Sequence, residues 1–301
     1  MSEDCTAIKK IKMTHIIPTS TVLHLLPYIK GDGFSIIKPE TNKDKRNVFP
    51  DGEVYIRIPE ATEIAKDRIV VLHSGSPSPN NGLIELEMVL SILRRAGASN
   101  VEVFFTYFPY GMQDKVFQDG ETNAAEDLIK KLVEHYKVKK IYAIDPHFGK
   151  VEWLANHPSF ISVSAHEIMT EAVSKEYPNA VFVAPDLGHE RRTKVKGFKK
   201  TRVDSYNVTI EHDKLFMEGL VGKSVGVIDD IIETGGTMVN FYDECLKYQP
   251  KKIFAVATHG IMESGIKRIK EKYGTLYLSN TVAVPEANVD ISKLILENLK
   301  Y

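Results

Sequence analysis

The stretch GVIDDIIETGGTM, residues 226–238, holds the side chains best suited to chemistry. Asp229 and Asp230 stand side by side at the end of an apolar run, and Thr234, Gly235, Gly236 and Thr237 follow. In an open α/β sheet, ligands sit at the carboxyl ends of parallel strands, which is where the two acids fall. Paired carboxylates accept hydrogen bonds from sugar hydroxyls or hold a hard cation. A small-residue turn opening a helix presents converging backbone N–H groups to a phosphate; its glycines permit close approach and both hydroxyls can donate. The alternative is a helix cap, with Thr237 before MVNFYDEC. A cap explains the threonine and leaves the paired acids unexplained.

Other residues share this placement. His147 follows Asp145 at the end of KIYAID, and Asp186 ends AVFVAPD; both are candidate metal ligands. A satisfied histidine at a strand end is the bland alternative for His147. Lys200 and Arg202 lie in ERRTKVKGFKKTR, a run that would ordinarily be a solvated face. GKS at 222–224 is no P-loop, because position 217 is Met217 and the motif precedes its strand. His166-Glu167 and His189-Glu190 lack the second histidine of a zinc hydrolase.

The elements that must position these residues are legible as alternation. Apolar runs at 68–73, 101–107, 140–145, 180–186, 224–229, 252–260 and 275–280 are separated by helical patterns at 83–97, 124–136, 238–248 and 264–274. Such alternation predicts βαβ units with mostly parallel sheets flanked by helices. Residues 68–145 and 224–280 repeat one order (strand, loop, helix, strand, helix, strand), which predicts two tandem copies of one α/β unit. GFSII and VYIRI, flanking a polar bend within 31–60, are expected to pair antiparallel.

Bulk properties narrow the function classes. A chain of 301 residues has length for two domains of about 150 each. With 39 basic and 40 acidic residues, no global field draws it to a nucleic acid polymer or an anionic membrane. Cys5 and Cys245 provide neither a disulfide framework nor zinc spacing, and no stretch approaches the ~18 apolar residues of a span. A cytoplasmic protein is expected, with no membrane association.

Asp-Asp, three residues, then Thr-Gly-Gly-Thr resembles the ribose-phosphate loop of the phosphoribosyltransferase fold. NVFPDGEVYIRI (47–58), FPYGMQDKVFQDGE (108–121), IDPH (144–147), APDLGHERR (184–192), KKTRVDSYNV (199–208), ATHGI (257–261) and LSNTV (278–282) then follow the order of the ribose-phosphate pyrophosphokinase family. FPDGE alone would be a turn between strands; its weight comes from its place in that order. The resemblance implies an N-terminal ATP-side domain over 1–155 and a ribose-phosphate-binding domain over 156–283. The tail 284–301 would pack back on the first. It further implies ATP contacts from Phe49, Asp51 and Glu53, often across a subunit boundary, and from Gln113 and Asp114. Ribose phosphate would bind through Asp229, Asp230 and 234–237, Mg²⁺ through His147 and Asp186, and Lys200 and Arg202 would be catalytic residues on a mobile loop.

The implied reaction is transfer of a pyrophosphoryl group from MgATP to the anomeric hydroxyl of ribose 5-phosphate by a homo-oligomer. The sequence departs from the family at four places. Met112 replaces a phosphate-binding arginine, Pro146 is the middle residue of the Asp-x-His site, His189 stands where a second glycine is usual, and Glu233 where many members have Asp. Met112 keeps two alternatives open: a paralogue acting on another ribose 5-phosphate ester such as ADP-ribose, and an inactive regulatory relative.

Overall fold

The computed structural model describes residues 13–149, 151–185, 199–202, 208–211 and 218–300. Its first sheet is six-stranded and parallel, ordered β2-β1-β3-β4-β5-β6. The strands are β1 (Thr14–Pro18), β2 (Phe34–Ile36), β3 (Arg68–Ser74), β4 (Val101–Tyr107), β5 (Ile141–Ile144) and β6 (Phe160–Val163). The second sheet is four-stranded and parallel, ordered β12-β11-β10-β7, with β7 (Val181–Val183), β10 (Ser224–Ile232), β11 (Lys252–Gly260) and β12 (Leu276–Leu278). Continuous burial of β3 after its first residue, and of nearly all of β10 and β11, is what a parallel sheet covered on both faces requires.

Helices α1 (Pro79–Arg95) and α2 (Ala124–Lys130) connect β3, β4 and β5. Helices α4 (Gly236–Leu246) and α5 (Glu263–Tyr273) connect β10, β11 and β12 in the same manner. Each half thus repeats one strand-helix succession with matching neighbours, as the internal order of the sequence predicts. In α1, burial of Leu86, Val89, Leu90 and Leu93 follows the three-and-four spacing of an amphipathic helix. Between the halves runs α3 (His166–Ser174), and the chain ends in α6 (Ser292–Leu299).

Alternation along the strands divides the core into three parts. Ile69 and Val71 of β3 face α1 and α2, whereas Val70 and Leu72 face the other way. On that inner side they meet Phe254 and Val256 of β11, Met169 and Val173 of α3, and Ile291, Ile295 and Leu299 at the C-terminal helix. The third part, with Val225, Val227, Phe241 and Ile269, lies on the outer side of the second sheet. The two sheets therefore share one apolar layer, and Arg68 of β3 donates to the Leu299 carbonyl of α6.

Two local expectations differ from what is found. GFSII does not pair with VYIRI: β2 joins β1 in parallel, and the antiparallel bridges are Val48 to Val54 and Glu40 to Arg57. A parallel edge position satisfies β2 against β1, leaving the tighter 48–54 turn to close on itself. The helical pattern at 124–136 ends as a π turn over Lys131–His135. The described parts of the expected mobile loop form an antiparallel ribbon, β8 (Lys199–Arg202) with β9 (Val208–Glu211).

Candidate functional site

Asp229 and Asp230 occupy the carboxyl half of β10, where the strand runs on to Ile232; only 9% and 5% of their surfaces are exposed. The Asp230 N–H donates to Asp229 Oδ1 (3.0 Å), and Asp230 Oδ2 lies 2.9 Å from His147 Nδ1. His147 comes from the first sheet, just past β5, and is 83 residues away in sequence. Its side chain is 37% exposed, so the pair borders solvent on one side.

Asp145, two residues earlier, has φ 35°, a left-handed conformation that a non-glycine residue adopts only under constraint. The constraint is visible: its carboxylate accepts from the Ala165 N–H (3.2 and 3.3 Å) beside α3 and from Thr258 Oγ1 (2.8 Å) on β11. Burial pushes its pKa up to about 6. Next to Thr258, His259 is buried with Nε2 3.1 Å from the Ile144 carbonyl, and burial pulls its pKa down to about 4. The ends of β5 and β11 are thus locked together beneath the site. Tyr107, at the end of β4, has its hydroxyl pKa raised by burial and by the charges of Glu233 and Asp230.

The turn after β10 decides against the helix-cap alternative. The N-cap of α4 is Gly235, at φ 73° and with no side-chain cap; Thr237 lies inside the first turn. Only Thr234 Oγ1 approaches an early N–H, that of Gly236, at 3.5 Å. The orphan N–H groups and positive end of an eleven-residue helix therefore open onto the turn. Gly265 of α5 lets that helix press on the loop: a Cβ there would stand 1.8 Å from the Glu233 carbonyl oxygen. A Cβ on Gly235 would come within 3.2 Å of Gly265 O and of the Ile269 side chain.

A cleft of about 180 Å³ collects these parts. Met112 and His147 from the N-terminal half face Asp229, Asp230, Glu233 and residues 234–238. Wider grooves of about 560 and 610 Å³ exist, one between α3 and α6 and one beside Tyr28. Neither contains a sequence-predicted site residue, so volume is a poor guide here and the convergence of polar groups a better one.

Of the expected residues, the fold brings together His147, Asp229, Asp230 and 234–237. Gln113 and Asp114 adjoin Met112; Gln113 N–H bonds to the Tyr110 carbonyl, and the Asp114 carbonyl accepts from Trp153 Nε1 (2.8 Å). Phe49, Asp51 and Glu53 do not line the cleft. They form an exposed turn, closed by Phe49 N–H to the Glu53 carbonyl (2.7 Å), with Phe49 edge-on to Tyr55. Asp186 and His189 lie outside the described residues, as do the side chains of Lys200 and Arg202. Reading by motif passed over Thr258 and Tyr107. Their signal was positional: both stand near the carboxyl ends of parallel strands.

Among the described residues no group of three or more His, Cys, Asp or Glu forms a ready cation cage. The donor set nonetheless fits Mg²⁺, which is held through one or two carboxylates and completes its shell with water and substrate phosphates. Asp229 and Asp230 would supply the oxygens, with His147 alongside.

Paired parallel sheets of this form, with twin acids at a strand end and an open glycine turn into the next helix, define a phosphoribosyltransferase-type fold. Along 95% of the chain the fold superposes on 97% of the chain of a phosphoribosylpyrophosphate synthetase from Mycobacterium smegmatis, with a TM-score of 0.78 at 20% identity. Residues 35–136 match the model of the N-terminal domain of ribose phosphate pyrophosphokinase. The chain is 29% identical to the ribose-phosphate pyrophosphokinase of Pyrococcus furiosus, across 87% of itself and 93% of that protein. Against that of Thermococcus kodakarensis it is 27% identical, across 91% and 96%. Along most of its length the chain is thus similar to ribose-phosphate pyrophosphokinases. Among the described residues no helix is long and apolar enough to cross a membrane.

Proposed function

We propose that the protein is a ribose-phosphate pyrophosphokinase, transferring the β,γ-pyrophosphoryl group of MgATP to the anomeric hydroxyl of ribose 5-phosphate and releasing AMP. The observation that carries this reading is the cleft in which Asp229, Asp230 and the uncapped 234–237 turn meet His147 from the other sheet. The turn would take the 5-phosphate on its N–H groups and threonine hydroxyls, and the carboxylates would accept from the ribose hydroxyls. The anomeric hydroxyl is then directed into the cleft, in line with the β-phosphorus of ATP held by the 113–114 and 49–53 segments. Mg²⁺, when bound, neutralises phosphate charge beside the acids. Lys200 and Arg202 would stabilise charge growing on the transferring group, one as a point charge and one as a planar fork.

The ATP-side unit is 1–155 with the edge strand at Phe160–Val163 counted with its sheet; the ribose-phosphate unit extends to 283, and the tail 284–301 returns to the inner layer. The enzyme acts as a homo-oligomer in which Phe49, Asp51 and Glu53 reach the ATP site of a neighbouring copy. It works in the cytoplasm on small molecules.

Incubation with MgATP and a panel of ribose phosphates, read by phosphorus NMR, tests the reaction. Formation of AMP with 5-phosphoribosyl pyrophosphate supports it; ADP as the sole nucleotide product rejects the reaction class. A second reading, pyrophosphorylation of a bulkier ester such as ADP-ribose, is favoured by one observation. Met112, in the place of a phosphate-binding arginine, lines the cleft and is 42% exposed. Under the first reading, Met112→Arg tightens ATP and leaves acceptor preference alone; under the second, it impairs the native reaction. A wild type inert toward every acceptor would mark a regulatory relative.

A further inference from the structure

Asp229, Asp230 and Glu233 all line the cleft, and no lysine or arginine is among its described lining residues. A phosphate dianion held on the backbone N–H groups and hydroxyls of the turn would lie close to these carboxylates. The partial charge of a helix terminus, about half an elementary charge, offsets only part of that repulsion.

A cation stands just outside the lining. Because Gly265 lets α5 abut the Glu233 carbonyl, the next turn of that helix carries Arg268 over the start of α4. Arg268 Nη1 lies 3.9 Å from the point that a Cβ on Gly236 would occupy, and Thr234 Oγ1 lies 3.7 Å from the same point. Gly236 is the first residue of α4 and contributes one of its orphan N–H groups. Arg268 is exposed, and among the described residues no carboxylate forms an ion pair with it. From that position a side-chain rotation would bring the guanidinium to an anion on the turn.

We propose that Arg268 is a further phosphate ligand of this site and that it selects a terminal phosphate monoester; the identity of the sugar rests on the function proposed above. A monoester dianion offers three terminal oxygens, enough for the N–H groups, a threonine hydroxyl and the guanidinium fork together. A pyrophosphate linkage, as in ADP-ribose, leaves two such oxygens and a single negative charge on that phosphorus. The same guanidinium gains less from it. Arg268 thus favours ribose 5-phosphate over its larger esters, independently of what Met112 does on the nucleotide side.

Calorimetric titration of wild type, Arg268→Ala and Arg268→Lys with ribose 5-phosphate, inorganic phosphate, ADP-ribose and MgATP tests this. Loss of one charge-assisted contact at an exposed site should raise Kd for ribose 5-phosphate and for phosphate about 10-fold in the alanine variant, with part recovered by lysine. The salt dependence of both should flatten, the effect on ADP-ribose should be smaller, and MgATP affinity should hold. Unchanged Kd for both monoesters overturns the assignment, and equal losses for ribose 5-phosphate and ADP-ribose overturn the selectivity. A wild type that binds phosphate but not ribose 5-phosphate sinks the proposed function alone; the phosphate titrations still judge Arg268. A wild type that binds neither sinks both.

Discussion

Replacing Gly265 by alanine should damage the 234–237 turn without touching a group that faces the cleft. The added methyl would stand 1.8 Å from the Glu233 carbonyl oxygen, 2.8 Å from its carbon and 3.1 Å from the Thr234 carbonyl carbon, where ordinary contact begins at 3.4 Å. All three neighbours are backbone, so none can swing aside, and either α5 or the loop must move. Overpacking of this kind costs about 1–3 kcal/mol. The gain from alanine within a helix, about 0.5–1 kcal/mol, offsets only part. A net loss of about 1–2 kcal/mol in urea unfolding is expected, and it comes with a shifted turn. Misplacement of about 1 Å at a reacting centre costs about 10²-fold in rate. Turnover and ribose 5-phosphate affinity should therefore fall more than stability alone would require. Ser264→Ala, one residue earlier and exposed, serves as the control that keeps both. If Gly265→Ala matched the wild type in stability and in acceptor affinity, the buttressing of the turn by α5 would be wrong.

Asp229→Asn and Thr234→Ala should each weaken ribose 5-phosphate by about 10- to 100-fold, the value of charge-assisted hydrogen bonds of ~1.5–3 kcal/mol; titration showing acceptor affinity unmoved by both would leave the turn a structural feature. Lys200→Ala and Arg202→Ala should each lower kcat by about 10²-fold or more with small effects on substrate Kd, as for loss of a transition-state donor; unchanged turnover removes that residue from catalysis. His73 is fully buried, and burial lowers its pKa to about 3. The unfolded chain therefore takes up a proton that the native state refuses as pH falls from 6.5 toward 3. Relative to His73→Asn, wild-type stability should drop by about 1.4 kcal/mol per pH unit in that window; a stability difference constant with pH would show that His73 does not carry the linkage.

Much of this protein was determined by local pattern. Short β-branched runs such as RIVVLH, alternating with longer amphipathic segments, read as strands buried on both faces, and the spacing of Leu86, Val89, Leu90 and Leu93 reads as one face of a helix. The paired acids and T-G-G-T likewise marked a candidate site, because carboxylates after a buried strand and glycines before a helix have few structural reasons to exist together. Pairing partners and packing angles were not legible. GFSII had an apolar pattern compatible with more than one neighbour, and β1 won it. Thr237 was a chemically adequate cap that the left-handed Gly235 displaced into the helix.

The site itself belongs to tertiary structure. His147 meets Asp230 across 83 residues because β5 and β10 end on the same side of two sheets that share an apolar layer. Met112 faces the acids for the same reason, and Arg268 stands beside the turn because two glycines allow a helix to touch a loop. Such contacts depend on the close approach of distant backbone segments. A sequence records the residue types that permit that approach and leaves the approach to the packing of the whole.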